Sequence, residues 1–298
     1  MAGTLPFSRK LRYGAEAAAF FLLMGIFRLF PLDTASRMGG WMGRNIFSRL
    51  PPDRTARKNL AAAFPEKSQA EIETILTGMW DNLGRTVAEY PHLQKFDRVG
   101  PGSRIEVKGA EHIESATATG KGTLFLSAHL ANWELMPMLG ELLGLDGASV
   151  VRHPNNPYVA RWIAHQRGRR GPKDQIGKHS GARRVFAQLR GGKAIYMLVD
   201  QRNDEGIAVK FFGREAPTTP VPAALAMKLG SRILIARNQR KRGSARVEIT
   251  IAPGPDYVAS GDEAADTRAL TERITAQLEA MIRSDPSQWL WIHRRWSR

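Results

Sequence analysis

The chain has 298 residues, 43% hydrophobic and 24% charged, a globular composition long enough to bury a sizeable core as one large domain or two small ones. Its 44 Lys and Arg against 28 Asp and Glu give a net charge of +16, a field that attracts polyanions: nucleic acid, an anionic membrane surface, phosphorylated lipid or an acidic carrier protein. With no cysteine, disulfides, thiolate chemistry and cysteine-ligated metals are excluded.

Arg9, Lys10 and Arg12 precede an apolar stretch, Ala15 to Phe30, whose uninterrupted part from Ala17 to Phe27 is eleven residues. A bilayer span needs about twenty. The RLFPLD that follows lacks the small-residue cleavage pattern of a signal peptide. Residues 1–32 are therefore expected to form a retained membrane anchor, tilted or lying in the interface, with the basic flank on the cytoplasmic side; a buried N-terminal helix is the alternative. Residues 33–100 read as a helical segment. Residues 33–50 carry Met38, Trp41, Met42, Ile46 and Phe47 on one face with Arg37, Arg44 and Arg49 among them, which suits membrane-surface contact or ordinary packing. Pro51 and Pro52 stop it, and helical patterns follow over 54–64 and 68–90. The second starts on a Ser68/Glu71 capping box. The segment DRVGPGS, 97–103, reads as a linker into the remainder, 101–298.

From Ile105 onward, strand-like runs at 105–109, 123–128, 147–152, 193–200, 207–212, 231–237 and 245–252 alternate with helical ones at 111–119, 134–143, 156–167, 181–190, 221–229 and 264–283. That alternation predicts a layered α/β domain with a mixed, mostly parallel sheet. Neither a Walker loop nor a dinucleotide fingerprint is present, which counts against a nucleotide cofactor.

The stretch TLFLSAHLANWELMPMLGE, Thr123 to Glu141, reads as a strand, a turn and a helix with His129 and Glu134 at the junction. On one helix a five-residue offset turns about 500°, so the pair meets only if the backbone changes direction between them. Pro137 is tolerated in a first helical turn, so the helix is expected to start near Asn132 or Trp133, with Asn132 as N-cap. Glu134 in that first turn can then hold one ring nitrogen of His129 and leave the other free to accept a proton. A buried histidine beside a capping glutamate is the plain alternative.

Arg152, Arg161, Arg167, Arg169, Arg170, Lys173, Lys178, Arg183 and Arg184 make residues 152–184 the most basic part of the chain. Arginine forks match phosphate; a solvated face accounts for them equally. Asp200, followed by Gln201 and Arg202, ends a β run, where polar residues of α/β sheets line sites, or else it caps a turn. Thr218, Thr219 and Pro220 open a helix whose amides can receive an anion. RNQRKRGSAR, 237–246, reads as a basic hairpin tip, and the terminal QWLWIHRRW mixes tryptophans with arginines, as at a membrane interface or a single-stranded nucleic-acid surface.

His129, four residues, then Glu134 resembles the HX4(D/E) motif of the glycerolipid acyltransferase superfamily. With LVDQR (198–202), FFGREAPTTP (211–220) and QWLWIHRRW (288–296) in order, the chain resembles the bacterial late acyltransferases of lipid A biosynthesis, the lauroyl and myristoyl type. The resemblance implies transfer of a fatty acyl group from acyl–acyl carrier protein to a hydroxyl of a lipid A precursor, a phosphorylated glycolipid, at the cytoplasmic side of the bacterial inner membrane. It implies His129 as general base, Glu134 as its orienter, and Arg152, Arg167 (or Arg169), Asp200 and Gln201 at the substrate. No metal or redox cofactor and no nucleic acid is implied. A lysophospholipid or aminoacyl-lipid acyltransferase on the same fold, or a non-catalytic basic membrane or nucleic-acid binder, stands as the alternative.

Overall fold

A computed structural model describes residues 6–169, 171–177 and 181–296. Helices α1 (Phe7–Leu29), α2 (Leu32–Asn45), α3 (Pro52–Ala63) and α4 (Gln69–Glu89) come first, and α4 begins on the anticipated capping box, with Ser68 and Glu71 satisfying each other's backbone amides. Among the described residues, no helix is long and apolar enough to cross a membrane. Helices α2 and α4 cross at glycines: a Cβ on Gly84 would lie 2.0 Å from the Gly39 carbonyl oxygen.

The strands are β1 (Ile105–Lys108), β2 (Thr123–Ser127), β3 (Gly147–Val151), β4 (Asp174–Gly177), β5 (Ala194–Leu198), β6 (Ile207–Phe211), β7 (Arg214–Thr218), β8 (Arg232–Arg240) and β9 (Val247–Pro253). Seven form one sheet in the order β1-β9-β8-β2-β5-β3-β4, parallel at every pairing except β8 with β9. The helices interleaved with them are α5 (Ala110–Thr117), α6 (Leu135–Leu142), α7 (Pro157–Gly168), α8 (Ala182–Arg190), α9 (Val221–Leu229) and α10 (Glu263–Ser284).

Successive residues of a strand point to opposite faces. Leu124 and Leu126 of β2 accordingly pack into one core with α8, α9 and α10, and Phe125 packs into a second with α5, α6 and Leu93. Strand β2 is buried throughout, which is why TLFLS is an apolar run rather than an alternating one. The α/β class and its mixed, mostly parallel sheet are as the sequence predicts. Two strands were not legible. β4 is four residues inside the basic segment, with no apolar run to announce it. β7 contains Pro217 and pairs only with β6, in a separate hairpin, the kind of edge position where a proline costs no ladder bond.

The C-terminal block departs from the surface reading. Trp289, Trp291 and Trp296 lie in the core around Phe211 and Phe212, with Trp289 and Trp291 in edge-to-face contact at 4.5 Å. Arg295 is 1% exposed and donates to the Pro217 carbonyl and to Thr218 Oγ1. Burial pulls its pKa down to about 10, against the opposing charge of Asp200. Tryptophan paired with arginine thus marks packing against β6 and β7, not a lipid interface.

Candidate active site

Strands β2 and β5 are parallel neighbours with Ser127 opposite Leu198. Two residues further along each, at the carboxyl edge where open α/β sheets hold ligands, stand His129 and Asp200. The Asp200 carboxylate accepts the His129 Nδ1 bond at 2.8 Å, the His129 backbone amide at 2.8 Å and Trp289 Nε1 at 2.7 Å. Burial alone would raise its pKa; the His129 imidazole and these three donors outweigh burial and hold it far below the usual carboxylate range. A carboxylate fixed on Nδ1 keeps the proton there and leaves Nε2 as the acceptor. Gln201 Nε2 lies 3.1 Å from that Nε2 and 2.8 Å from His293 Nε2.

Glu134 does not hold His129. It is the N-cap of α6, one residue ahead of the expected first turn, and its carboxylate receives Arg167 Nε at 2.6 Å, Arg167 Nη2 at 2.7 Å, Tyr90 Oη at 2.5 Å and Trp133 Nε1 at 2.9 Å. Burial would raise the Glu134 pKa, but the Arg167 guanidinium and these hydrogen bonds lower it below its ordinary value. The backbone explains the divergence. Ala131 has a positive φ of 49°, so the chain reverses between the two residues and the ring of Trp133 stands beside His129 at 5.3 Å. Asn132 was expected to cap α6. Its side chain is instead split between the Glu134 amide and the buried Glu89.

Helix α4 holds this turn from behind. Asn82 and Thr86 donate to the Ala131 carbonyl, and Glu89 joins Asn132, Ser36 and the buried Arg240. Arg240, read as part of a basic hairpin tip, is therefore an interior ion pair. The far side of the turn is tied to the C-terminal segment by Ala131 N to Gln288 O and Leu290 N to His129 O.

A cleft of about 710 Å³ opens over His129, Gln201 and His293 and runs along Arg152, Arg167 and the apolar side chains of Val150 and Met197. A smaller apolar slot lined by Met136, Met138 and Tyr196 adjoins it at Trp133 and Arg167. Of the residues singled out in the sequence, His129, Arg152, Arg167 and Gln201 line the cleft, and Asp200 lies directly beneath it. Arg169 is exposed and faces a separate depression with His165 and Lys173. Arg170 and Lys178 lie outside the described residues. At the start of α9, Pro222 has no amide proton and Thr219 Oγ1 takes that of Val221, which weakens the anion site read there. Tyr90, Trp133, Trp289 and His293 also build the site; in the sequence Tyr90 drew no assignment, Trp133 read as a helix start, and Trp289 and His293 as part of a surface. The grouping of histidine and tryptophan in the terminal block hinted at the last two.

The sequence profile described as "Bacterial lipid A biosynthesis acyltransferase" matches residues 3–298. A lipid A biosynthesis palmitoleoyltransferase of Escherichia coli (strain K12) is 26% identical over 86% of this chain and 81% of its own length. A lipid A biosynthesis acyltransferase of Haemophilus influenzae is 26% identical over 94% of this chain and 86% of its own. A phosphatidylinositol mannoside acyltransferase of Mycobacterium tuberculosis is 24% identical over 85% and 80%. With a match running over nearly the whole chain and a histidine–carboxylate pair at the floor of an apolar-walled cleft, the chain belongs to the bacterial lipid A biosynthesis acyltransferase family and is an acyltransferase.

Proposed function

We propose that this chain moves a fatty acyl group from the thioester of an acyl–acyl carrier protein to a hydroxyl of a lipid A precursor. The observation that carries the chemistry is the 2.8 Å bond from His129 Nδ1 to Asp200, with Nε2 turned to the cleft. In this reading His129 is the general base and Asp200, rather than Glu134, is its orienter. Glu134 holds Arg167 and the wall beside the base. Arg152 at the rim of the cleft and Arg167 within it supply positive charge for a phosphorylated headgroup. Val150, Val151, Met197 and the adjoining slot offer apolar surface to the acyl chain. The acceptor hydroxyl attacks the thioester directly, and no enzyme nucleophile is needed. The net charge of +16 favours both an acidic carrier protein and an anionic membrane, and the reaction is assigned to the cytoplasmic face of the inner membrane.

A second acceptor class is favoured by one finding, the relative named for phosphatidylinositol mannoside. The test offers labelled acyl–acyl carrier proteins of several chain lengths with a tetra-acylated lipid A precursor or with a phosphatidylinositol mannoside, to wild type and His129→Ala. Transfer to the precursor that vanishes in the variant is the expected result. Transfer to the mannoside alone moves the acceptor and keeps the mechanism. Transfer undiminished in His129→Ala removes His129 as the base.

A further inference from the structure

An acyl-transfer site needs hydrogen-bond donors aimed at the oxygen on which charge develops, and here most donors around the base are already engaged. The backbone amides of His129, Leu130, Ala131 and Glu134 bond Asp200, Ala128, Gln288 and Asn132. The indoles of Trp133 and Trp289 bond Glu134 and Asp200, and Arg167 Nε and Nη2 bond Glu134. Withdrawing any of these would strip a buried carboxylate. Gln201 differs: its amide nitrogen lies 2.8 Å from His293 Nε2, and 3.1 Å and 3.5 Å from the Nε2 and Nδ1 of His129, beside that ring and out of line with the Nε2 lone pair.

A primary amide nitrogen donates twice and accepts nothing. His293 Nε2 is therefore an acceptor in the resting site, and the lone pair of His129 Nε2, with which Gln201 is out of line, is left to the acceptor hydroxyl. One Gln201 N–H stays on His293, and the other, bound to no carboxylate, stands beside the base where the reacting groups meet. We propose that Gln201 is the oxyanion donor of this acyltransferase and that His293 is the positioning residue that aims it. This assignment rests on His129 acting as the base toward a thioester.

In the step itself, His129 Nε2 takes the hydroxyl proton and the oxygen's electron pair forms the new bond to the acyl carbon. The carbonyl π pair moves onto its oxygen, where the second Gln201 N–H meets it. Collapse restores the C=O bond, breaks the C–S bond, and passes the imidazolium proton to the leaving sulfur. His293 must remain an acceptor throughout, since a protonated ring would compete as a donor. Burial, seconded by the charge of His129, keeps it neutral by drawing its pKa down to about 4.

The test is steady-state kinetics with an acyl–acyl carrier protein and the tetra-acylated lipid A precursor on full-length Gln201→Ala, Gln201→Glu, His293→Phe, His293→Asn and the double variant, beside His129→Ala. Loss of one such donor elsewhere lowers kcat by about 10²–10³. That fall is expected for Gln201→Ala and for the near-isosteric Gln201→Glu, with KM within about twofold. His293→Phe is expected to lower kcat as well, and His293→Asn, which keeps an acceptor, to restore part of it. Coupled residues are non-additive, so Gln201→Ala with His293→Phe should be no slower than Gln201→Ala alone. Full kcat in both Gln201 variants beside an inactive His129→Ala overturns this assignment and leaves the base standing. An active His129→Ala overturns the base first. Losses confined to KM, or additive losses in the double variant, make Gln201 and His293 ordinary contact residues.

Discussion

Two carboxylates sit within a few residues of the base in space, and they have different tasks. Asp200 is bound to His129 twice, through the ring and the backbone amide, so it sets both tautomer and position. Asp200→Asn would keep the shape while allowing the wrong tautomer, and a comparable change elsewhere costs about 10⁴ in kcat. A fall of that order with KM little changed is expected in the transfer assay. Glu134→Gln should act differently. It leaves the Arg167 guanidinium short of its counter-charge in a largely buried site, where breaking such a pair costs about 3–5 kcal/mol. Its deficit should therefore appear in denaturant unfolding as well as in rate. The resting charges also fix a pH dependence. His293 has its pKa lowered by burial from 6.5 to about 4, so the unfolded chain binds its proton first as pH falls. The stability this group contributes is complete above about pH 6.5 and lost toward pH 4. Glu134, whose folded pKa is lowered, adds a loss only below its ordinary 4.5. Unfolding free energy measured from pH 7 to pH 4 should decline, and His293→Phe should flatten that decline.

The helices and strands are where sequence and structure can be compared most closely. TLFLS, the KAIYMLVD run and the capping box at Ser68 announce themselves because apolar periodicity and caps are local signals. The partnership of His129 with Asp200 was not legible, because it depends on β2 lying beside β5 in parallel register across about seventy residues of chain. No local pattern encodes that register, whereas HX4E lies in one line of sequence and drew attention to the nearer acid. The role of α4 was hidden for the same reason. Its stripe of Ile72, Ile75, Leu76 and Met79 reads as core and is core, but Asn82, Thr86 and Glu89, which hold the Ala131 turn, reveal themselves only through contacts with distant segments. The crossing of α4 on α2 positions that whole face. Gly84→Ala would thrust a Cβ against the Gly39 carbonyl and Gly43 Cα. Backbone cannot yield as a side chain does, so a loss of about 1–3 kcal/mol or more is expected. Denaturant unfolding measures it, and catalysis should weaken in step as the turn loosens.

At the scale of the molecule, the first helix has two apolar faces and only one of them is covered. Ala17, Met24 and Phe27 of α1 are buried, and Phe20 meets Trp162 of α7 edge-on at 5.3 Å. Opposite them, Leu11, Leu22, Ile26 and Leu29 recur at helical spacing and are exposed, and Trp41 of α2 is exposed as well. Arg9, Lys10 and Arg12 lead this helix. A helix that presents an exposed apolar stripe behind a basic leader has the form of an interfacial anchor. Apolar insertion and charge attraction respond to salt differently, since exposed charges are screened over about 8–10 Å at physiological ionic strength. The chain is therefore expected to co-sediment with vesicles containing anionic phospholipid and to be released only in part by high salt. Leu22→Ser with Ile26→Ser should remove the salt-resistant part, lowering binding on the order of tenfold or more, because each large apolar side chain contributes about 1.5–3 kcal/mol when fully withdrawn from water. Both side chains face away from the folded core, so the melting temperature of that variant should hold and its transfer to detergent-dispersed acceptor should persist. Binding that salt abolishes completely, or that the two serines leave unchanged, would assign the membrane contact to the basic surface alone.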